Sequence, residues 1–338
     1  MHIAQVSTVD TPVRREHSGS IEQMVWLLDR ELRRLGHEVT VFGAAGSEVG
    51  GTFIETLPGT YAENGAPDDW RLCEMINLSR ALERSGDFDV VHCHAYLWSL
   101  PFEALCRAPM VHTLHLHPYD DFLRLRAMWP HACVTAISKF QWSATPDLPP
   151  AAVIHHGIDA EQFTFREKPD DYVCFLGRFV PDKGALTAIR TARELGLRLL
   201  LAGPRNEYFD TCIAPEVDGR LVEYIGSVTG AERDRLLGGA RALLYPIEAP
   251  EPFGLVQVEA MMCGTPVVAT GLGAVPEIVE DGVTGCIAEN AAAFPAHTTR
   301  ALTLDRTRIR TLAEQRFSAG HMAREYAALY SRITANRK

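Results

Sequence analysis

Two carboxylates, Glu251 and Glu259, bracket the run Pro252-Phe253-Gly254-Leu255-Val256-Gln257-Val258. Pro252 disfavours α geometry at Glu251, which places that carboxylate in the loop before a short helix. Gly264 closes the helix, and a buried strand starts at Val267. Val256, Val258, Ala260, Met261 and Met262 make the helix apolar nearly all round, so Glu259 needs polar partners. An arginine or a capped loop would serve; so would a ligand pocket into which both carboxylates point. Arg178 and Lys183 flank another loop at a helix start, where cations and helix dipole favour a phosphate, although two solvated charges would look the same. Ser18-Gly19 is a small-residue loop at which helix amides can approach an anion. His92, His94, His112, His115 and His117 lie near the ends of two candidate strands. Polar groups there face a substrate crevice in α/β folds. A zinc site is the other reading, but no cysteine or carboxylate completes a recognised ligand spacing.

The elements that position these residues alternate strand and helix. His2–Ser7 reads as a buried strand, Ile21, Met24, Val25, Leu28, Leu32 and Leu35 mark one helix face, Gly36 stops that helix, and Val39–Phe42 is the next strand. Residues 43–70 read as a long surface excursion, followed by a helix over about 71–85. Strands ending in His94, His115, Ser138 and His156 follow, then a charged linker over about 160–170. Alternation places His92 and His94 on one side of their strand. The pattern restarts at Tyr172–Gly177 and continues through Leu197–Ala202, Val222–Ile225 and Ala242–Tyr245. Residues 306–334 read as one or two closing helices. Asp87-Phe88-Asp89 precedes a strand, which makes it a turn and strand start more than a metal-binding pair. Two such halves imply two doubly wound domains facing across a cleft that holds the ligand.

The chain has 338 residues, 46% hydrophobic and 22% charged, as expected of a soluble two-domain protein. Its net charge of −10 is uneven: residues 1–165 carry 12 Lys and Arg against 21 Asp and Glu, and the rest 21 against 22. An acidic first half argues against nucleic acid or anionic lipid as partner. Eight scattered cysteines without a C-x-x-C pair read as reduced core thiols. With no leader-like start and no long apolar run, a cytoplasmic monomer or homodimer is expected.

The segment from Glu251-Pro252-Phe253-Gly254-Leu255 through Glu259-Ala260-Met261 to Gly264-Thr265-Pro266-Val267-Val268 resembles the E-x7-E signature of retaining GT-B glycosyltransferases. That is the large family 4 group, which includes glycogen and sucrose-phosphate synthases. Gly177-Arg178 to Lys183-Gly184 is similar to the family's phosphate segment, and Ile225-Gly226-Ser227-Val228 to its base-binding loop. Gly273–Glu277, Asp281–Gly285 and the segment Phe317–Tyr330 also fit, and the likeness covers nearly the whole chain.

The resemblance implies a GT-B fold with an acceptor-binding domain over 1–160, joined by about 320–338 as the last helix crosses back. The donor domain covers 161–319. It implies a metal-independent, retaining transfer of a hexose from a UDP- or GDP-linked sugar to a hydroxyl of a small molecule or glycan intermediate. No cofactor is implied. Arg178 and Lys183 would bind the diphosphate, with Gly19 and Gly177 near the phosphates. Glu259 would take the ribose, and Ser227 and Val228 the base. Glu251 would meet the transferred sugar, beside helix-start amides from Phe253, Gly254, Leu255 and Val256. His115 matches the histidine beside the donor sugar. His94 and Ser138 are candidates for the acceptor, whose identity rests with residues 43–70 and 95–125. Two positions depart from the family: Ser18-Gly19 replaces a pair of glycines, and His156-Gly157 replaces Asn-Gly, a change expected to alter only a turn. An epimerase or hydrolase on the same fold, or a non-catalytic nucleotide-sugar binder, are the alternatives. A pyridoxal-phosphate phosphorylase would need a further lysine in the second domain, and the count argues against it, since Lys183, already placed in the phosphate loop, is the sole lysine between residues 170 and 337.

Overall fold

The computed structural model describes residues 1–16, 20–61, 67 and 69–335. It divides into two compact units, Met1–Gly157 with Ala319–Lys338, and Ile158–Ser318.

The first unit runs β1 (His2–Val6), α1 (Ser20–Arg34), β2 (Glu38–Ala44), β3 (Thr52–Leu57), α2 (Trp70–Glu83), β4 (Val90–Cys93), β5 (Met110–Thr113), α3 (Asp120–Met128), β6 (Val134–Ala136) and β7 (Ala152–Val153). These form a seven-stranded sheet in the order β3-β2-β1-β4-β5-β6-β7, parallel at every pairing. Its middle strands β4 and β5 are buried on both faces, with His92, His112 and Thr113 buried among their apolar residues.

The second unit runs β8 (Val173–Leu176), α4 (Ala185–Leu195), β9 (Leu199–Ala202), β10 (Val222–Tyr224), α5 (Gly230–Gly239), β11 (Leu243–Tyr245), α6 (Leu255–Met262), β12 (Val267–Thr270), α7 (Val275–Ile278), β13 (Gly285–Ala288), α8 (Phe294–Ala301) and α9 (Arg306–Phe317). Its six parallel strands are ordered β10-β9-β8-β11-β12-β13. Both sheets reverse direction beside their first strand, and in such folds ligands bind at the carboxyl ends of strands near that switch. The core of the second unit centres on Phe175, Phe179, Ile189, Leu201, Leu244 and Val268. The last helix, α10 (Ala319–Ala335), belongs to the first unit and packs on α1. Gly157 lets it start close by, because a Cβ there would come within 2.6 Å of the Ala319 Cα.

Two expectations need correction. Residues 43–70 are not all surface excursion, because Thr52–Leu57 forms edge strand β3 on β2. Most of its residues are half-buried or exposed, so it lacks the apolar run that marks the inner strands. Residue 156 does more than alter a turn, since its imidazole stacks face to face on His115 at 5.1 Å. All eight cysteines are free, and six are buried. Asp87 pairs with Arg84 while Asp89 accepts from the His2 amide at 2.7 Å, both local structural jobs. Among the described residues, no helix is long and apolar enough to cross a membrane.

Candidate active site

In the second unit the strand ends β8, β9 and β10 are laced by their backbones. The Gly177 amide donates to Ala202 at 3.1 Å, and that of Gly203 to Gly226 at 3.0 Å. Beyond β8, Pro181–Lys183 makes one 3-10 turn, and Gly184 reverses the chain into α4 with φ 69°. A Cβ on Gly184 would fall on the Pro246 carbonyl oxygen, so only glycine fits there. That close approach carries Lys183 to the loop after β11.

Glu251 sits in this loop. Its carbonyl accepts from the Ala274 amide at 2.9 Å, and Gly273, at φ 61°, lies so near the Glu251 backbone that a side chain there would clash. One carboxylate oxygen of Glu251 accepts from the Lys183 ammonium and the other from the Tyr245 hydroxyl. Burial and the adjacent Glu251 carboxylate push the Tyr245 phenol well above its usual range, so it stays protonated and donates. Lys183 also lies 5.8 Å from the Tyr245 ring centroid. Three segments of the unit thus converge on one charged trio. Tyr245 was not anticipated; an aromatic at a strand end reads as core, and only its polar tip at the carboxyl end of β11 hinted otherwise.

Among the described residues no side chain caps the N-terminus of α6, which opens with Gly254 in a left-handed conformation. Arg178 is exposed, and among the described residues its guanidinium makes no hydrogen bond or ion pair. Ser227 is exposed and Val228 half-buried on the loop after β10. Glu259 is buried on α6 and pairs with Arg233 of α5 at 2.9 Å. Burial raises its carboxyl, and Arg233 opposes that. The arginine partner considered from sequence therefore exists. Glu259, Arg178, Ser227 and Val228 are not hydrogen-bonded to the Lys183–Glu251–Tyr245 trio among the described residues.

In the first unit the histidines form a stack. His92 and His94 have ring centroids 3.9 Å apart, His94 and His115 5.2 Å, and His115 and His156 5.1 Å. The Gln5 carbonyl oxygen faces His94 Nε2 at 2.6 Å, which makes that nitrogen the donor. His94 Nδ1 then accepts from His115 Nε2 at 2.9 Å. His115 is left with an unprotonated Nδ1 that is buried and unpartnered among the described residues. His92 is held by Tyr330 at 2.6 Å and Thr113 at 2.7 Å. With ring nitrogens committed to these bonds, the cluster is a hydrogen-bonded stack and not a chelate. His112 bonds Ser99 at 2.6 Å, and His117 stacks on Phe140 at 5.5 Å. Ser138 caps the turn at Gln141, whose amide nitrogen donates to the Leu114 and Leu116 carbonyls at 2.7 and 2.6 Å. Gly19 lies outside the described residues.

The stack predicts acid sensitivity. Burial drives His92, His94 and His115 well below their ordinary value of 6.5, and His156 to about 3. The unfolded chain therefore binds more protons below pH 6.5, and the stability these neutral rings contribute is lost as pH falls towards 3. Glu74 acts oppositely: burial raises it from 4.5 to about 8, so its cost to the fold grows as pH rises through that window. Glu22 and Glu259, also raised by burial, act with Glu74, and the four imidazoles outweigh these three carboxyls. The Tm is expected to fall between pH 6.5 and pH 5, and to fall less in His156→Asn, which pH-dependent thermal melts check.

Two parallel, doubly wound units of this order define the GT-B architecture. Two family models match, one in each half: Glycosyltransferase Family 4 over residues 21–162 and Glycosyl transferases group 1 over residues 170–303. The chain belongs to the family 4 glycosyltransferases. It is 28% identical to the D-inositol 3-phosphate glycosyltransferase of Mycolicibacterium smegmatis, over 85% of this chain and 80% of that one. Its fold matches AviGT4, a glycosyltransferase involved in avilamycin A biosynthesis, with TM-score 0.72 and 29% identity over 99% and 98% of the two chains. It also matches Anabaena Alr3699/HepE in complex with UDP-glucose, with TM-score 0.69 and 20% identity over 98% and 99%.

Proposed function

We propose that the protein moves a hexose from a nucleotide-diphosphate sugar to an acceptor hydroxyl, with retention and without a metal ion. The convergence of Lys183 and Tyr245 on Glu251 carries this reading. A loop carboxylate beside a lysine, at an uncapped helix start, suits a sugar linked to a diphosphate. As the leaving group departs, negative charge grows on the diphosphate, and Arg178, Lys183 and the α6 amides stabilise it. Glu251 complements the positive character developing on the sugar ring. The donor phosphate accepts the proton of the attacking hydroxyl, so no protein nucleophile is needed. Glu259 takes the ribose hydroxyls, Ser227 and Val228 the base, and the UDP-glucose complex of a structural relative favours a uridine donor. His115 offers its free Nδ1 lone pair to a sugar hydroxyl. The acceptor is held by the first unit, and the enzyme works in the cytoplasm.

Donor turnover followed by mass spectrometry tests this over UDP-, GDP- and ADP-sugars. Nucleoside diphosphate with the sugar joined to an acceptor supports transfer, and activity in EDTA supports the metal-free route. Free or epimerised sugar without acceptor product would indicate an epimerase or hydrolase. Absence of any turnover would indicate a binding protein. Arg178→Ala is expected to weaken nucleotide binding by about tenfold, the loss of one charge-assisted contact of roughly 1.5 kcal/mol.

A further inference from the structure

A cavity of about 300 Å³ in the first unit is lined by Tyr61, Trp70, Tyr96, Leu116, Tyr119 and Phe122. That volume suits one small ring, at the low end for ligand pockets. Its walls adjoin the histidine stack in sequence: Tyr96 follows His94 by two residues, and Leu116 follows His115 directly. The cavity therefore borders the carboxyl ends of β4 and β5, where such folds place ligands.

Tyr96 and Leu97 hold φ angles of 48° and 64°, the two non-glycine residues with positive φ among those described. Left-handed backbone costs a side-chain-bearing residue roughly 1–2 kcal/mol. Such strain persists where the surroundings impose it, and it concentrates at ligand sites. Here it holds the Tyr96 ring 5.9 Å from Trp70, which in turn meets Trp98 at 5.7 Å and Tyr61 at 6.5 Å.

The polar surroundings are acidic. Glu74, Glu22 and Asp10 all act on the Tyr61 and Tyr96 hydroxyls and, behind burial, help push Tyr96 up to about 12. The exposed Arg71 lies over Trp70 at 4.8 Å. Of the eleven buried side-chain polar atoms without a partner among the described residues, two belong to neighbours of Trp70: a Glu74 carboxyl oxygen, one helical turn on, whose fellow oxygen accepts from the Val9 amide at 3.0 Å, and the Trp98 indole nitrogen. Buried polar groups left unmatched in a fold are unusual.

We propose that this cavity seats the acceptor and selects one that offers an apolar ring face and hydroxyls but carries no phosphate. The inference rests on the transferase reading above. The ring face stacks on Trp70 and Tyr96, and ring hydroxyls meet the Tyr61, Tyr96 and Tyr119 hydroxyls of the lining. A phosphate dianion would be stripped of water against a lining that, among the described residues, holds no Lys or Arg to pair with it. The acceptor would thus differ in charge from the one that names the inositol 3-phosphate relatives.

The probes are p-nitrophenyl β-glucoside and its 6-phosphate, with binding read by saturation-transfer NMR on the full chain. The neutral glucoside is expected to show ring-proton transfer, weakened at least tenfold in Trp70→Ala and in Tyr119→Ala. Tyr119 is exposed, so its variant keeps the fold, which a melting curve verifies. The 6-phosphate is expected to bind wild type at least tenfold more weakly than its parent. No binding of the glucoside, equal binding in both variants, or equal binding of the phosphate would each overturn the proposal. UDP-, GDP- and ADP-glucose are titrated into wild type in parallel. If none binds, the transferase reading falls by itself, while the cavity result still decides whether the pocket takes a neutral ring.

Discussion

Replacing Glu251 by Ala is expected to lower kcat by about 10²–10³-fold, some 3–4 kcal/mol of transition-state stabilisation, while leaving the fold intact. The fold survives because the Glu251 position is fixed by backbone, through Ala274 and the glycine at 273, and not by its carboxylate. In the resting protein that carboxylate occupies the Lys183 ammonium and the Tyr245 hydroxyl. Its removal frees Lys183 for the diphosphate, so donor KM should hold or drop while kcat collapses. A split of that kind identifies an interaction made in the transition state. Glu251→Gln keeps an acceptor for Tyr245 but loses the charge facing the sugar, so it should be nearly as slow. Steady-state kinetics with the turned-over donor checks both variants, and full activity in Glu251→Ala would remove the role assigned to it.

Gly184→Ala should damage stability and site together. Its φ of 69° already disfavours a side chain. The new methyl would also meet the Pro246 carbonyl, backbone that cannot swing away. Strain of about 1–3 kcal/mol from the backbone, added to a further 1–3 kcal/mol of overpacking, places the expected loss near 3 kcal/mol or above. The loop after β11 must shift to relieve the clash, and Lys183 and Tyr245 then separate from Glu251. Chemical denaturation should show the lowered midpoint, with activity falling further than the loss of folded protein explains. Gly196→Ala is the control, since it shares a positive φ of 63° but has open space around it.

The parts of the fold legible in sequence were those set by local physics. Consecutive apolar residues such as Val90-Val91 and Val267-Val268-Ala269 name inner strands because neighbours on opposite faces are both buried. Gly36 and Gly264 mark helix ends because each takes a left-handed turn, at φ 84° and 80°. Edge strand β3 escaped because half its surface stays wet. Glu251, Lys183 and the histidines were visible as chemistry, but their partners were not. Tyr245 reaches Glu251 only through the turn of one loop, and Arg233 reaches Glu259 only because α5 packs on α6. The aromatic cavity draws on four separated stretches and on strain at Tyr96 and Leu97, which no spacing rule reveals.

The central claim is that Arg178 and Lys183 hold a nucleoside diphosphate in the second unit. Thermal shift with UDP, GDP and ADP tests it most directly on wild type, Arg178→Ala and Lys183→Ala. At a hundredfold excess over Kd the cognate nucleotide should add about 2.7 kcal/mol to wild type, a rise of several degrees in Tm. That rise should shrink in each variant at the same concentration. A wild-type Tm unmoved by all three nucleotides, or variants that shift as far as wild type, would contradict the account.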